Sequence, residues 1–326
     1  MADYIPIWQS YICHVTSNSG YVEYSVYTGD TLIYMGKAHV APNATTADIY
    51  LSNIVRDYLN SKITYVGGED YQDEVAYSLP IRLVTGDVTR EYIFFNDYSY
   101  EWRDMYAQNA SILSRPMSDV VDYRQLLFCT FANFNTTSPL TINASYVDGI
   151  RIVNIETIDI TNCATFTIDL IGIGSNKLVT IGDKKNSISY RVLDTGASYC
   201  LYYLNAYGGY DSLLIKGNVL RTDSMSRTES VRSVSDSYFE HGRRVLNNEV
   251  QRKWRLHTDY LTDAQWAKTH HLLGSSHVFL HDLDGGEIVP VVITSNEAEF
   301  KTYRNQGNKK SVLTIEVEAA SKRIRR

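Results

Sequence analysis

The sequence predicts a mainly β protein, multidomain, made of β-sandwich or β-barrel-like units with a few short helices. Three observations carry that expectation. In 326 residues the chain has 26 Tyr beside only 6 Pro and 5 Met, and with its many Thr, Ile and Val this is the side-chain set that fits a pleated, half-buried surface. Short apolar or alternating runs recur along the chain with Gly, Asn, Asp and Ser between them, the spacing of strands joined by turns. Residues 198–218 add a hairpin in which two β-favouring arms flank Gly208-Gly209. At a period of two, Tyr199, Leu201, Tyr203 and Asn205 share one face and Cys200, Tyr202 and Leu204 the other, so both faces carry bulk and the strand belongs inside a sandwich or at an interface. The two glycines supply the positive φ of a tight turn, bracketed by Tyr207 and Tyr210 as a cross-strand aromatic pair.

Taken in order, residues 8–15, 21–27 and 32–40 read as strands of a meander, separated by Asn18-Ser-Gly20 and Thr28-Gly-Asp30. The period then changes. Ile49, Ile54, Tyr58 and Leu59 mark a short amphipathic helix with Thr45 and Thr46 as caps and an end near Asn60. Strands 79–85 and 90–95 pair across Gly86-Asp87, and an aromatic-rich stretch, 94–102, follows. Residues 1–115 are thus expected to form an N-terminal β-rich domain with one helix.

Past Arg115-Pro116, strands at 125–133, 141–146, 150–159, 165–171, 177–180 and 188–193 predict a sandwich of immunoglobulin-like size, with the 198–218 hairpin as its last two strands. This domain, 116–240, ends in a polar arm. Residues 222–237 are Ser/Thr-rich with Arg227, Glu229 and Arg232 interspersed, an exposed strand or linker with too few apolar groups to offset its own ordering entropy. The third unit, 241–326, reads as strands 243–247 and 249–257, a helix at 262–273, and strands 278–281, 287–294, 298–303 and 312–319. Thr262 is the expected N-cap, Asp263 sits near the positive end and Gly274 is the stop. Leu261, Trp266, Leu272 and Leu273 should seat this helix on the sheet, with Lys268 outward.

Charge and composition exclude some function classes. A formal net charge of -6 argues against a chain that grips nucleic acid along its length, leaving at most local or luminal contact. The basic end Lys322-Arg-Ile-Arg-Arg326 is expected to be a solvated tail. No apolar run reaches the length of a membrane span, and the opening Met-Ala-Asp-Tyr-Ile-Pro lacks a leader pattern, so the expected place of synthesis is the cytoplasm and no membrane partner is expected. Cys13, Cys129, Cys163 and Cys200 are far apart and read as buried reduced thiols.

Three patterns invite chemistry. Val192-Leu-Asp194-Thr195-Gly196 is similar to the catalytic turn of aspartic proteases, where two carboxylates share one proton. The chain has one copy of it, so such an enzyme would be a homodimer. His270, His271, His277 and His281 are close in sequence, but His277 and His281 lie ~13 Å apart along a strand at ~3.3 Å per residue, and adjacent helical histidines diverge by about 100°. Gly172-Ile-Gly174-Ser-Asn-Lys177 lacks the third glycine and following helix of a dinucleotide fingerprint and reads as a strand-ending turn. The expectation is therefore no catalytic, cofactor-binding or metal-ligating residue.

Two regions resemble a known group. Leu256-His-Thr-Asp-Tyr-Leu-Thr-Asp-Ala-Gln-Trp266, Leu272-Leu-Gly-Ser-Ser-His-Val-Phe-Leu280, Val289-Pro-Val-Val-Ile293 and Val312-Leu-Thr-Ile-Glu-Val-Glu318, with Ile33-Tyr-Met-Gly-Lys-Ala38 and the helix through Ile54 and Leu59, resemble virion structural proteins of tailed bacteriophages of gut Bacteroidetes, including crAss-like phages. The resemblance spans the first sixty and the last eighty residues. It implies a ring- or tube-forming tail, neck or baseplate component, located in the virion, made in the host bacterial cytoplasm and partnered by its own copies and other tail or neck proteins. It implies no catalytic residues. The alternatives are the homodimeric protease and a carbohydrate-binding receptor-recognition module, because exposed tyrosines also stack on sugars.

Overall fold

The computed structural model describes residues 3–7, 11–17, 19–60, 78–86, 88–95, 112–114, 116–133, 139–160, 163–183, 186–205, 209–231, 243–295, 311–321 and 323–325. The chain is mainly β and falls into two compact units, Met1–Asp194 with Leu204–Ser212, and Thr195–Tyr203 with Leu213–Arg326.

The first unit opens with β1 (Asp3–Pro6), β2 (Ile12–Thr16), β3 (Tyr21–Thr28), β4 (Thr31–His39), β5 (Thr46–Tyr50), α1 (Leu51–Asn60), β6 (Ser78–Thr85) and β7 (Val88–Phe95). Five strands form one sheet in the order β1-β7-β6-β3-β4, and β2 and β5 form a second. The expected meander is corrected here: β2 pairs with β5, and the second neighbour of β3 is β6. The register Cys13↔Ile49 and Val15↔Ala47 puts four apolar side chains on one buried face, which a pairing of neighbours in sequence would not do. The helix is corrected too. Thr46, expected as a cap, lies in β5, and Ile49 belongs to that strand's alternation; the helix begins at Leu51 and seats Leu51, Val55 and Leu59 at four-residue spacing in the core. The expected 79–85 and 90–95 hairpin is present, turning at Gly86 with φ +55°. Of the aromatic stretch, 96–102 lies outside the described residues.

A sandwich follows, built from β8 (Ile112–Ser114), β9 (Val120–Asp122), β10 (Leu126–Ala132), β11 (Leu140–Asp148), β12 (Arg151–Ile160), β13 (Cys163–Asp169), β14 (Lys177–Gly182) and β15 (Ser187–Leu193). Its sheets run β13-β10-β8 and β12-β11-β14-β15-β9. Leu127, Cys129, Phe131 and Phe166 from the first meet Ile142, Val179, Ile181 and Tyr190 from the second in one core, as two facing alternating sheets require.

The remaining elements are β16 (Tyr199–Leu204), β17 (Tyr210–Ile215), β18 (Val219–Val231), β19 (Arg243–Leu261), α2 (Asp263–Leu273), β20 (Val278–Asp282), β21 (Ile288–Ile293), β22 (Ser311–Ala319) and β23 (Arg323–Arg325). They make one sheet, β17-β16-β20-β21-β22-β19-β18, with β23 also on β19. The hairpin of β16 and β17 therefore extends this sheet rather than closing the sandwich. Tyr199 to Tyr203 pair with Asp282 to Val278, and the double-sided bulk is real: Cys200, Leu201, Tyr202 and Tyr203 are all fully buried. Residues 206–208 of its turn, with the Tyr207 partner, lie outside the described residues. The expected domain break at 240 falls between two strands, β18 and β19, that pair directly.

Helix α2 carries its predicted caps. Thr262 Oγ1 accepts from the Gln265 N–H at 3.3 Å and Gln265 Oε1 accepts from the Thr262 N–H at 2.8 Å, a reciprocal box. The Gly274 N–H donates to the His270 carbonyl at 2.9 Å. Trp266 and Leu272 are buried as expected; Leu273 and Lys268 are both half-buried. The basic end is corrected from solvated tail to strand, since Arg323–Arg325 pairs with residues 248–250 of β19. Residues 298–303 lie outside the described set.

Candidate binding cleft and assembly edge

The hairpin of β3 and β4 sets Tyr24 opposite Gly36 and Val26 opposite Tyr34, so both tyrosines project from the same face. A Cβ at Gly36 would meet Tyr34 Cε1 at 2.7 Å and Tyr24 Oη at 3.2 Å. The glycine is thus the bare floor on which the two rings lie, stacked with centroids 5.8 Å apart and planes 30° apart. Burial, with Tyr34 adding to it, pushes the Tyr24 phenol up to about 12. The rings form one wall of a cleft of about 520 Å3, within the size of small-molecule sites. Tyr50 from β5 and Tyr58 from α1 contribute further aromatic surface, and Asp48, Asn53 and Asp57 contribute polar groups. His14 Nδ1 lies 2.7 Å from Asp48 Oδ1, fixing one of those carboxylates. Flat aromatic faces beside carboxylate and amide groups can stack on the C–H face of a sugar and hydrogen-bond its hydroxyls. Sequence reasoning missed this site because its residues come from four elements whose pairing is non-local; the usable signal was a glycine facing a tyrosine across a predicted hairpin.

The second feature is the edge formed by β18. The expected arm is an ordered strand, paired with β19 from Val219↔Leu256 to Val231↔Arg243. The ordering cost that its own apolar groups could not offset is met by ladder hydrogen bonds to its neighbour, so of the two readings, exposed strand or linker, 222–231 is the strand; 232–237 lie outside the described residues. Every residue from Leu220 to Glu229 is exposed, including Leu220 at 58% and Met225 at 62%. Among the described residues β18 pairs with β19 alone, and its other edge presents unpaired backbone groups.

The residues that invited chemistry are placed as follows. Asp194 follows β15 with its side chain 67% exposed, and Arg124 Nη2 lies 3.8 Å from its carboxylate. Thr195 Oγ1 accepts from the Ala197 N–H at 3.3 Å and Gly196 has φ +66°, the geometry of a strand-ending turn. Arg124 also donates to the fully buried Asp122 at 2.9 Å, so a guanidinium stands beside both carboxylates. His281 is buried against Tyr202, Oη to Nδ1 3.0 Å. The rings of exposed His270 and buried His271 lie 4.0 Å apart. His277 shares a 2.8 Å hydrogen bond with Ser276 Oγ, and burial holds its pKa below the ordinary value. Among the described residues no group of three or more His, Cys, Asp or Glu is placed to hold a metal ion. Gly172 to Gly174 form a turn in which the Ile173 and Gly174 N–H groups donate to the Leu170 carbonyl. Cys13, Cys129 and Cys200 are buried and in no disulfide among the described residues. No helix among the described residues is long and apolar enough to cross a membrane.

No protein-family model matches the chain, and no curated protein does. Among solved structures it is similar to the I9–I11 tandem from titin, at 8% identity and a TM-score of 0.18, over 98% of this chain and 87% of that one.

Proposed function

We propose that the chain is a structural subunit of a phage virion, a ring- or tube-forming component of a tail, neck or baseplate that acts by self-assembly. The observation that carries self-assembly is the open edge of β18, a strand of 13 residues at the rim of a large sheet; the ring or tube form comes from the sequence resemblance. Charged side chains commonly guard such an edge against pairing, but those of β18, Arg221, Asp223, Arg227 and Glu229, alternate in sign, so a strand of matching charge can still add to it. The sequence resemblance supplies the virion setting, and copies of the chain and other tail or neck proteins are the partners. Exposed apolar groups on both strands of a paired edge would exclude water, while the ladder sets direction and register. The test is negative-stain imaging with sedimentation of the full chain over a wide concentration range. Closed rings or tubes are expected. A monomer at every concentration, with no incorporation into particles, overturns the reading.

The cleft favours a second reading, recognition of a carbohydrate receptor. Tyr34 is 43% exposed, so Tyr34→Ala should leave the fold intact and abolish binding on a glycan array. Equal binding by both proteins would remove the cleft from that role.

A further inference from the structure

We infer that β18 pairs antiparallel with β18 of a second copy of this chain, about a two-fold axis at Met225. The inference deepens the self-assembly reading and rests on it for its biological setting, but its own evidence is the pattern of side chains along the open edge.

In a two-fold antiparallel pair centred on residue 225, each residue faces the copy whose number is as far on the other side of the centre. Ser224 then faces Ser226, Thr222 faces Thr228, Asp223 faces Arg227 and Arg221 faces Glu229. Like polar groups meet, and every charge meets its opposite. Residues 221, 223, 225, 227 and 229 share one face of the strand, so that face carries an alternating row of charges around a central methionine. The row is accessible. Each of these residues is exposed, and the existing contact of Arg221 Nη2 with Asp223 Oδ2, at 3.2 Å, leaves those side chains 47% and 37% exposed.

The same row rejects other registers. A two-fold axis normal to the sheet keeps each face on its own side, so the pairing can slip only in steps that move the centre by a whole residue. Centring on Ser224 sets Arg221 against Arg227, and centring on Ser226 sets Asp223 against Glu229. Like charges directly opposite are unfavourable, and centring on Thr222 or Thr228 matches only two of the four charged residues with an opposite charge, which leaves the Met225 register as the one in which all four are matched. The bulge in the β18–β19 ladder lies between Thr228 and Glu229, where two successive β18 residues face Asn247 and Val245, so the extra residue is on β19 and the outer edge of β18 keeps a regular repeat.

A contact of this kind is isologous and closes on itself. It makes a dimer or joins two rings through their faces, and it does not propagate a ring.

The experiment uses the full chain with Met225→Cys. Cα atoms of directly opposed residues lie about 4.5–5.5 Å apart, within disulfide range, so mild oxidation should convert most of the protein to a disulfide-linked dimer. Leu220→Cys, which the register sets opposite residue 230, should crosslink far less. In sedimentation at low salt, Asp223→Arg and Arg227→Asp should each weaken dimerisation on the order of tenfold, and the double variant should restore it. Equal crosslinking by the two cysteines, or a double variant no better than the singles, overturns the pairing. Rings that form while Met225→Cys stays uncrosslinked overturn the pairing and leave self-assembly standing; a crosslinked dimer that forms nothing larger supports the pairing and removes the ring.

Discussion

Gly217 lies at the root of β18, where the chain passes closest to β19. Its N–H donates to the His257 carbonyl at 3.1 Å, and the His257 N–H donates to the Asn218 carbonyl at 3.2 Å. A Cβ at this position would meet the His257 carbonyl oxygen, come within 2.9 Å of its carbon and sit 3.1 Å from its Cβ. Those are mostly backbone atoms of a strand held on its other side by the pair His257↔Thr314, so they cannot swing aside as a side chain would. Gly217 is not in the left-handed region, so the close approach to His257 is what an added Cβ must contend with. Overpacking of this kind costs ~1–3 kcal/mol, while the lower entropy of an unfolded alanine returns ~0.4–1 kcal/mol. Gly217→Ala should therefore destabilise by about 1–2 kcal/mol, a factor of roughly 5–30 in local opening. Hydrogen exchange reads this directly: the amides of Gly217 and His257 should exchange faster by that factor, and the urea midpoint of the second unit should fall. Unchanged protection at both amides would show that the two strands can part to admit a methyl group at no cost.

Three further outcomes are expected. Thr262→Ala removes the acceptor of the α2 capping box and should cost ~0.5–2 kcal/mol in thermal unfolding, whereas Thr262→Ser should restore most of it. Arg124→Met leaves the fully buried Asp122 without the donor at 2.9 Å; a loss of about 1.5–3 kcal/mol is expected at neutral pH, while Asp194→Asn, at an exposed carboxylate, should change stability by less than ~0.5 kcal/mol. His277 has its folded pKa lowered by burial, so its contribution is fully present above the unfolded value of ~6.5 and is lost as pH falls through the folded value. His277→Gln should accordingly flatten part of the fall in melting temperature as pH drops below about 6.5, and an unaltered slope would exonerate that ring.

Local order was readable where one face of an element is buried. The alternation of Ser187–Leu193 and the caps of α2, Thr262 and Gly274, gave those elements nearly residue by residue. Pairing was not readable, because the partners of β2 and β16 are set by which faces can share a core, and those partners lie about 34 and 80 residues away. The Thr45 and Thr46 caps failed for a related reason: a strand running straight into a helix leaves no break in the apolar pattern at Tyr50–Leu51. Strand β18 was readable only as an exposed strand or linker, since an edge exposed on both faces has no apolar alternation to decide between the two. The cleft at Gly36 needed Tyr24 and Tyr34 to be placed across a hairpin before either had a role.

Strand β19 has 19 residues and at ~3.3 Å per residue measures about 60 Å. Along that length it is gripped by β18, β22 and β23. A tension applied lengthwise to β19 therefore loads its ladders in parallel, in shear, so that many backbone hydrogen bonds must fail together; a pull across the sheet would instead peel β18 away one bond at a time. This sheet is stiff in one direction and compliant in another, and its stiff axis is the one along which β19 runs.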